Sequence, residues 1–161
     1  MCRLSGLHKN PLVVLDDADL KVAVNGAFFS TGQRCTASSR LIVQAGIHDR
    51  FVEACIERLK GLNVDDALKA GTHIGPVVDQ SQLDQNLKYI PGFYLQPALF
   101  TETTNAMRIS REEVFGPVAN IVRVKDYDEA LAVANDTEFG FSSGICTTSL
   151  KAALAALCAE T

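Results

Sequence analysis

Three short apolar runs constrain the fold of this chain more than any other feature. They are Pro11-Leu12-Val13-Val14-Leu15, Arg40-Leu41-Ile42-Val43-Gln44 and Val118-Ala119-Asn120-Ile121-Val122-Arg123-Val124. Each is short and dominated by β-branched and aliphatic residues, so each reads as a strand. The first is apolar without alternation, which fits a strand buried on both faces. Between the runs the period changes. Leu20, Ala23, Val24, Ala27 and Phe28 keep helical spacing, as do Phe51, Val52, Cys55, Ile56, Leu59 and Leu62. Asp126 and Glu129 form a capping-box pair ahead of Leu131, Val133 and Ala134. Gly144-Ile145-Cys146-Thr147 reads as a last strand, and Ser149–Ala159 as an Ala/Leu-rich helix. Strands alternating with helices imply βαβ units, hence an α/β fold with a mostly parallel sheet and flanking helices.

The connections are less regular. Asp16 is placed to cap the first helix, and the acidic cluster Asp16-Asp17-Ala18-Asp19 suits the positive end of its dipole. Gly26 inside that helix costs about 1 kcal/mol relative to Ala. Residues 71–78 read as loop. Residues 79–89 are polar, with Leu83, Leu87 and Ile90 at helical spacing. Residues 91–100 read as extended, and Pro91 and Pro97 argue against a central strand for most of them. Residues 108–116 read as a loop or a short helical turn.

Length and composition narrow the function classes. A chain of 161 residues is expected to be a single domain, and 47% hydrophobic content suffices for a core. A net charge of −4 with no basic stripe argues against nucleic acid. No apolar run approaches a membrane span, and the first residues lack the apolar core of a signal peptide, so the expected location is the cytoplasm. The five cysteines are odd in number and lack Cys-x-x-Cys spacing, which argues against a disulfide framework or a zinc site. Cys55, Cys146 and Cys158 read as core. None of His8, His48 and His73 has metal-ligand spacing, and each reads as a surface or loop residue. Gly140-Phe141-Ser142-Ser143-Gly144 fits Gly-x-Ser-x-Gly, but a helix precedes it, a strand follows it and no His lies downstream, the reverse of what a serine nucleophile needs.

Cys35 differs from the other cysteines. It falls between a helical pattern and a strand, on a turn able to face a cleft. The surrounding Phe28, Gly32, Gln33, Cys35, Ala37, Ser39 and Arg40 resemble the cysteine signature of the aldehyde dehydrogenase superfamily. Glu113-Val114-Phe115-Gly116-Pro117 resembles that superfamily's Glu-Ile-Phe-Gly-Pro signature. Lys9-Asn10-Pro11, Gly75-Pro76 and Phe139–Gly144 resemble further parts of it, so the likeness covers nearly the whole chain. A finer likeness is to the 2-oxoglutarate semialdehyde dehydrogenase branch. The resemblance implies oxidation of an aldehyde to an acid with NAD or NADP. In it Cys35 is the nucleophile, through a thiohemiacetal and a thioester. Glu113 binds the nicotinamide ribose and Phe115 lies near the nicotinamide ring. The partner is a small-molecule aldehyde, and the family is homo-oligomeric. Gln33 reads as a brace for the turn and Arg34 as solvent-facing.

The sequence also departs from the family pattern. The family carries its general base in Glu-x-Gly-Gly-Lys before Asn-Pro, whereas here Leu4-Ser5-Gly6-Leu7-His8-Lys9 contains no Glu. His8 is the one candidate substitute. There is no Gly-x-Gly-x-x-Gly and no dinucleotide-binding half. The helix before Cys35 is about one turn short of the family pattern, and the family's residues at Tyr89-Ile90-Pro91 and after the last helix are missing. The expectation is that residues 1–161 form a partial catalytic domain, inactive or impaired alone. The alternatives are a non-catalytic α/β remnant and cofactor-free thiol chemistry at Cys35, such as slow ester cleavage.

Overall fold

The structure, a computed structural model, describes residues 9–28, 34–87 and 96–159. The elements follow the alternation expected. They are β1 (Asn10–Val14), α1 (Leu20–Phe28), β2 (Ser38–Gln44), α2 (His48–Lys60), α3 (Gln80–Leu87), β3 (Ala98–Thr103), α4 (Arg108–Arg111), β4 (Val118–Val124), α5 (Tyr127–Asn135), β5 (Gly144–Cys146) and α6 (Leu150–Ala159). The five strands form one sheet in the order β3-β4-β2-β1-β5, and every pairing is parallel.

Side chains alternate across the sheet, so the central strands feed two cores. Leu12, Val14, Leu41, Val43, Ala119 and Ile121 pack on one face, against Ala23 and Val24 of α1 and Phe51 and Cys55 of α2. Val13, Leu15, Ile42, Val122 and Val124 pack on the other, against Ala130 of α5, with Ala152 of α6 at the margin. This is why the central strands read as unbroken apolar runs. Burial pushes the Cys55 thiol up to about 12, consistent with a core residue.

Two irregularities bend the ladder. Between Asn10 and Pro11 the β1–β2 register shifts: Asn10 faces Ser38 and Pro11 faces Arg40, which leaves Ser39 as an extra residue. Proline has no N–H for a central ladder, and a bulge at that point removes the need for one. Between Phe100 and Thr103 the β3–β4 register also shifts, and Glu102 there has φ 55. Strand β3 lies at the sheet edge, and it runs on to Thr103. Residues 91–95 lie outside the described ones.

Three expectations are corrected. The first helix is capped by Asp19, not Asp16: Asp19 Oδ1 accepts from the backbone N–H of Lys21 at 2.9 Å. His48 is not a surface residue. It is 1% exposed, with Nδ1 2.8 Å from Asp49 Oδ1 and 2.7 Å from an Arg123 nitrogen. Cys158 is exposed. Helix α6 turns Ala156 inward and leaves Leu150, Leu154 and Leu157 on its outer side with Cys158. Apart from Lys151 its sequence is apolar, so periodicity gave little facing direction. Cys146 is half-buried, and its thiol is raised by burial and then by Asp19. No helix among the described residues is long and apolar enough to cross a membrane.

Candidate active site

Parallel strands place all their starting ends on one side of the sheet. Strands β2 and β4 are neighbours, so the segments entering them must also be neighbours. One of those segments carries Cys35 and the other carries Glu113 and Phe115. A single small crevice is lined by Asn10, Arg34, Cys35, Ser39, Glu113 and Phe115, among others. The three site residues expected from the sequence therefore meet, although Cys35 and Glu113 are far apart in the chain. The Cys35 residue is exposed. Glu113 and Phe115 are each half-buried, on either side of Val114, which is 3% exposed and anchors the loop in the core.

Each wall is braced from behind. On the thiol side, Ala37 N–H donates to the Arg34 carbonyl at 2.9 Å, which closes a turn around Cys35. The Asn10 side-chain amide donates to the Cys35 carbonyl at 2.5 Å and to the Ala37 carbonyl at 3.2 Å. Arg40, the last residue of the cysteine signature, is fully buried. Its guanidinium donates to the carbonyls of Ala134 at 2.5 Å and Asp136 at 3.4 Å, fastening β2 to the end of α5. Burial pushes it down to about 10, helped by Arg111 and opposed by Asp136, so it stays charged at neutral pH.

On the other wall, the Gly116 N–H donates to the Val114 carbonyl at 3.0 Å and the Val118 N–H to the Gly116 carbonyl at 2.7 Å, two successive tight turns. Asn86 of α3 is fully buried behind them. Its amide donates to the Phe115 carbonyl at 3.4 Å and accepts from Gln82 Nε2 at 3.1 Å. A Cβ on Gly116 would lie 2.7 Å from Asn86 Nδ2, so the glycine of this motif is required by a close approach. Lys9 is 2% exposed beside this wall. Burial lowers its ammonium from 10.5 to about 8, with Arg40 pushing the same way and Glu113 opposing.

Sequence reasoning missed Lys9, Asn10 and Asn86 as site-supporting residues. The one available signal was a polar pair placed against a buried strand. Gln33, His8 and the join at residues 89–91 lie outside the described residues. Ser142 and Ser143, from the Gly-x-Ser-x-Gly stretch, sit just before β5, and the Ser142 backbone N–H donates to Asn10 Oδ1 at 3.2 Å. Among the described residues, no three His, Cys, Asp or Glu side chains are grouped to hold a metal.

An exposed cysteine at the entering edge of a parallel sheet, lining one crevice with Glu113 and Phe115, marks an α/β protein with a candidate site at that edge. Comparison with known proteins makes this specific. A model of the aldehyde dehydrogenase family matches residues 4–91 and 88–159. Alpha-ketoglutaric semialdehyde dehydrogenase of Bacillus subtilis is 41% identical over 169 aligned positions, covering 88% of this chain and 35% of that protein. Betaine aldehyde dehydrogenase of Mesorhizobium japonicum is 40% identical with the same coverage. The crystal structure of Staphylococcus aureus betaine aldehyde dehydrogenase in complex with NAD+ superposes with a TM-score of 0.89 at 29% identity, covering 94% of this chain and 36% of that one. The chain belongs to the aldehyde dehydrogenase family. It spans about a third of the length of the curated relatives it matches, 35% of each.

Proposed function

We propose that Cys35 is the nucleophile of an NAD(P)-linked oxidation of a small aldehyde to a carboxylic acid, with Glu113 and Phe115 serving the cofactor. One observation carries the reading: the exposed Cys35 shares its crevice with Glu113 and Phe115. A thiolate at Cys35 forms a carbon–sulfur bond to the aldehyde carbonyl carbon. The Cys35 backbone N–H is the candidate donor to the oxygen that gains charge. Once the adduct is oxidised, water adds to the thioester carbon and the carbon–sulfur bond breaks, which releases the acid and restores the thiol. NAD(P) supplies the hydride acceptor when bound. The residues present fit its nicotinamide–ribose end: the Glu113 carboxylate can accept from ribose hydroxyls, and Phe115 offers a flat face to a flat ring.

A second reading, a domain without turnover as the 161-residue polypeptide alone, is favoured by the size of the crevice. It encloses about 10 Å³, room for about one water, and residues 4–9 contain no Glu to serve as base. The two readings combine: the chemistry belongs to the site, and the isolated chain does not complete it. Limiting iodoacetamide near neutral pH, with the labelled peptides mapped, tests the first reading. Labelling of Cys35 well ahead of Cys158, the other exposed described cysteine, supports it, and equal labelling refutes it. NAD titration tests the second. No binding at millimolar cofactor is expected. Saturable binding that protects Cys35 and disappears in Glu113→Gln would show that the isolated chain holds cofactor after all.

A further inference from the structure

Asn10 stands where three segments meet. Its amide nitrogen carries two N–H groups, and they go to the carbonyls of Cys35 and Ala37; its oxygen accepts from the Ser142 N–H. The residue is 3% exposed and lines the crevice beside the thiol. The partners fix which end of the amide is which, because two carbonyls need donors and one N–H needs an acceptor. No other side chain of this length offers two donors and one acceptor. Asp has no donor for the carbonyls, and an aliphatic residue leaves all three partners unsatisfied in a buried place.

The geometry of the thiol turn gives this contact its consequence. The Ala37 N–H to Arg34 carbonyl bond closes the turn, but the carbonyls of Cys35 and Ala37 take no part in it. Both go to Asn10. A held Cys35 carbonyl fixes the peptide plane directly after the nucleophile and with it the direction in which Cβ and Sγ leave the backbone. Asn10 is itself fixed. It opens β1, a strand paired on both sides, at the bulge where Ser39 is the extra residue. The turn therefore takes its position from the middle of the sheet.

We propose that Asn10 is a positioning residue for the Cys35 thiol, holding the turn so that the sulfur faces the crevice shared with Glu113. This rests on the reading of Cys35 as the nucleophile. Small displacements of a reacting group cost large factors in rate, so releasing the turn lowers reactivity at Cys35 specifically.

The test compares iodoacetamide alkylation at Cys35 and Cys158 within the same molecules, for the unsubstituted chain, Asn10→Asp and Asn10→Ser. Expected is a fall of roughly tenfold in the Cys35-to-Cys158 rate ratio in both variants, with the Cys158 rate unchanged. An unchanged ratio in variants that retain the melting temperature overturns the proposal while leaving Cys35 as nucleophile. A ratio near one already in the unsubstituted chain overturns both. Equal changes at the two cysteines mean general loosening and also overturn it. A variant that fails to fold is covered by the unsubstituted chain in solution NMR. There the Asn10 side-chain amide protons are expected to exchange slowly with solvent, and to shift when Cys35 is alkylated; fast exchange with no shift refutes the contact.

Discussion

Replacing Lys9 by Met gives the sharpest thermodynamic test of the packing beneath the site. Lys9 is 2% exposed, and its ammonium is lowered from 10.5 to about 8 by burial, then by Arg40, against the pull of Glu113. The folded chain therefore binds this proton less tightly than the unfolded chain does. Between about 8 and 10.5 the unfolded chain holds more protons, so stability rises with pH through that window. Below it the full cost of a buried charge is felt. A difference of about 2.5 pH units at about 1.4 kcal/mol each gives a ceiling of about 3.5 kcal/mol, of which about 3 kcal/mol is felt near neutral pH. Lys9→Met keeps an unbranched stem and removes the charge. It is expected to be more stable than the parent by up to about 3 kcal/mol at neutral pH, and by less than about 1 kcal/mol near pH 10. Urea unfolding followed by far-ultraviolet circular dichroism at both pH values measures the two differences, and other titrating groups cancel between the proteins. An advantage that is the same at both pH values, or a Met variant less stable at neutral pH, would refute the account of Lys9 as a costly buried cation.

Two further outcomes follow from close contacts. Gly116→Ala brings a Cβ to 2.7 Å from Asn86 Nδ2, so the fully buried Asn86 must shift and strain its bonds to Phe115 and Gln82. A loss of about 1–3 kcal/mol is expected, partly relieved in Gly116→Ala combined with Asn86→Ala, as read by thermal melts. Asp126 Oδ1 accepts from the Glu129 N–H at 2.9 Å as the cap of α5; Asp126→Ala is expected to cost about 1 kcal/mol, a fall of about 2–4 °C in melting temperature.

What the sequence disclosed was local. The β1, β2 and β4 runs, the α2 stripe apart from the exposed Ile56, and the Asp126 cap are all set by neighbours within a turn or a strand, and they appear where periodicity puts them. The two signature loops were visible as motifs, but their meeting was not. It depends on β2 and β4 being adjacent in a sheet whose order, β3-β4-β2-β1-β5, is decided by long-range packing. His48 was misread for the same reason, since Arg123 and Glu102, which cover it, come from other strands. Cys158 was misread because the Ala/Leu helix carries a single charged residue, Lys151, seven residues before it on the same face, which was not used to orient the helix. Asn86 carries no pattern, and Lys9-Asn10-Pro11 was legible as a family likeness but not as a brace for the thiol turn. A buried amide is recognisable only once its partners are in place.

The strand order also sets how firmly each side of the crevice is tethered. The loop bearing Glu113 runs into β4, which has only the bulged edge strand β3 beyond it. The loop bearing Cys35 runs into β2, the middle strand, and is tied through Asn10 to β1. Fraying that begins at the β3 margin therefore reaches the Glu113 side first, while the Cys35 side stays moored. In a hydrogen-exchange experiment amides near Glu113 should lose protection under milder conditions than those of β2.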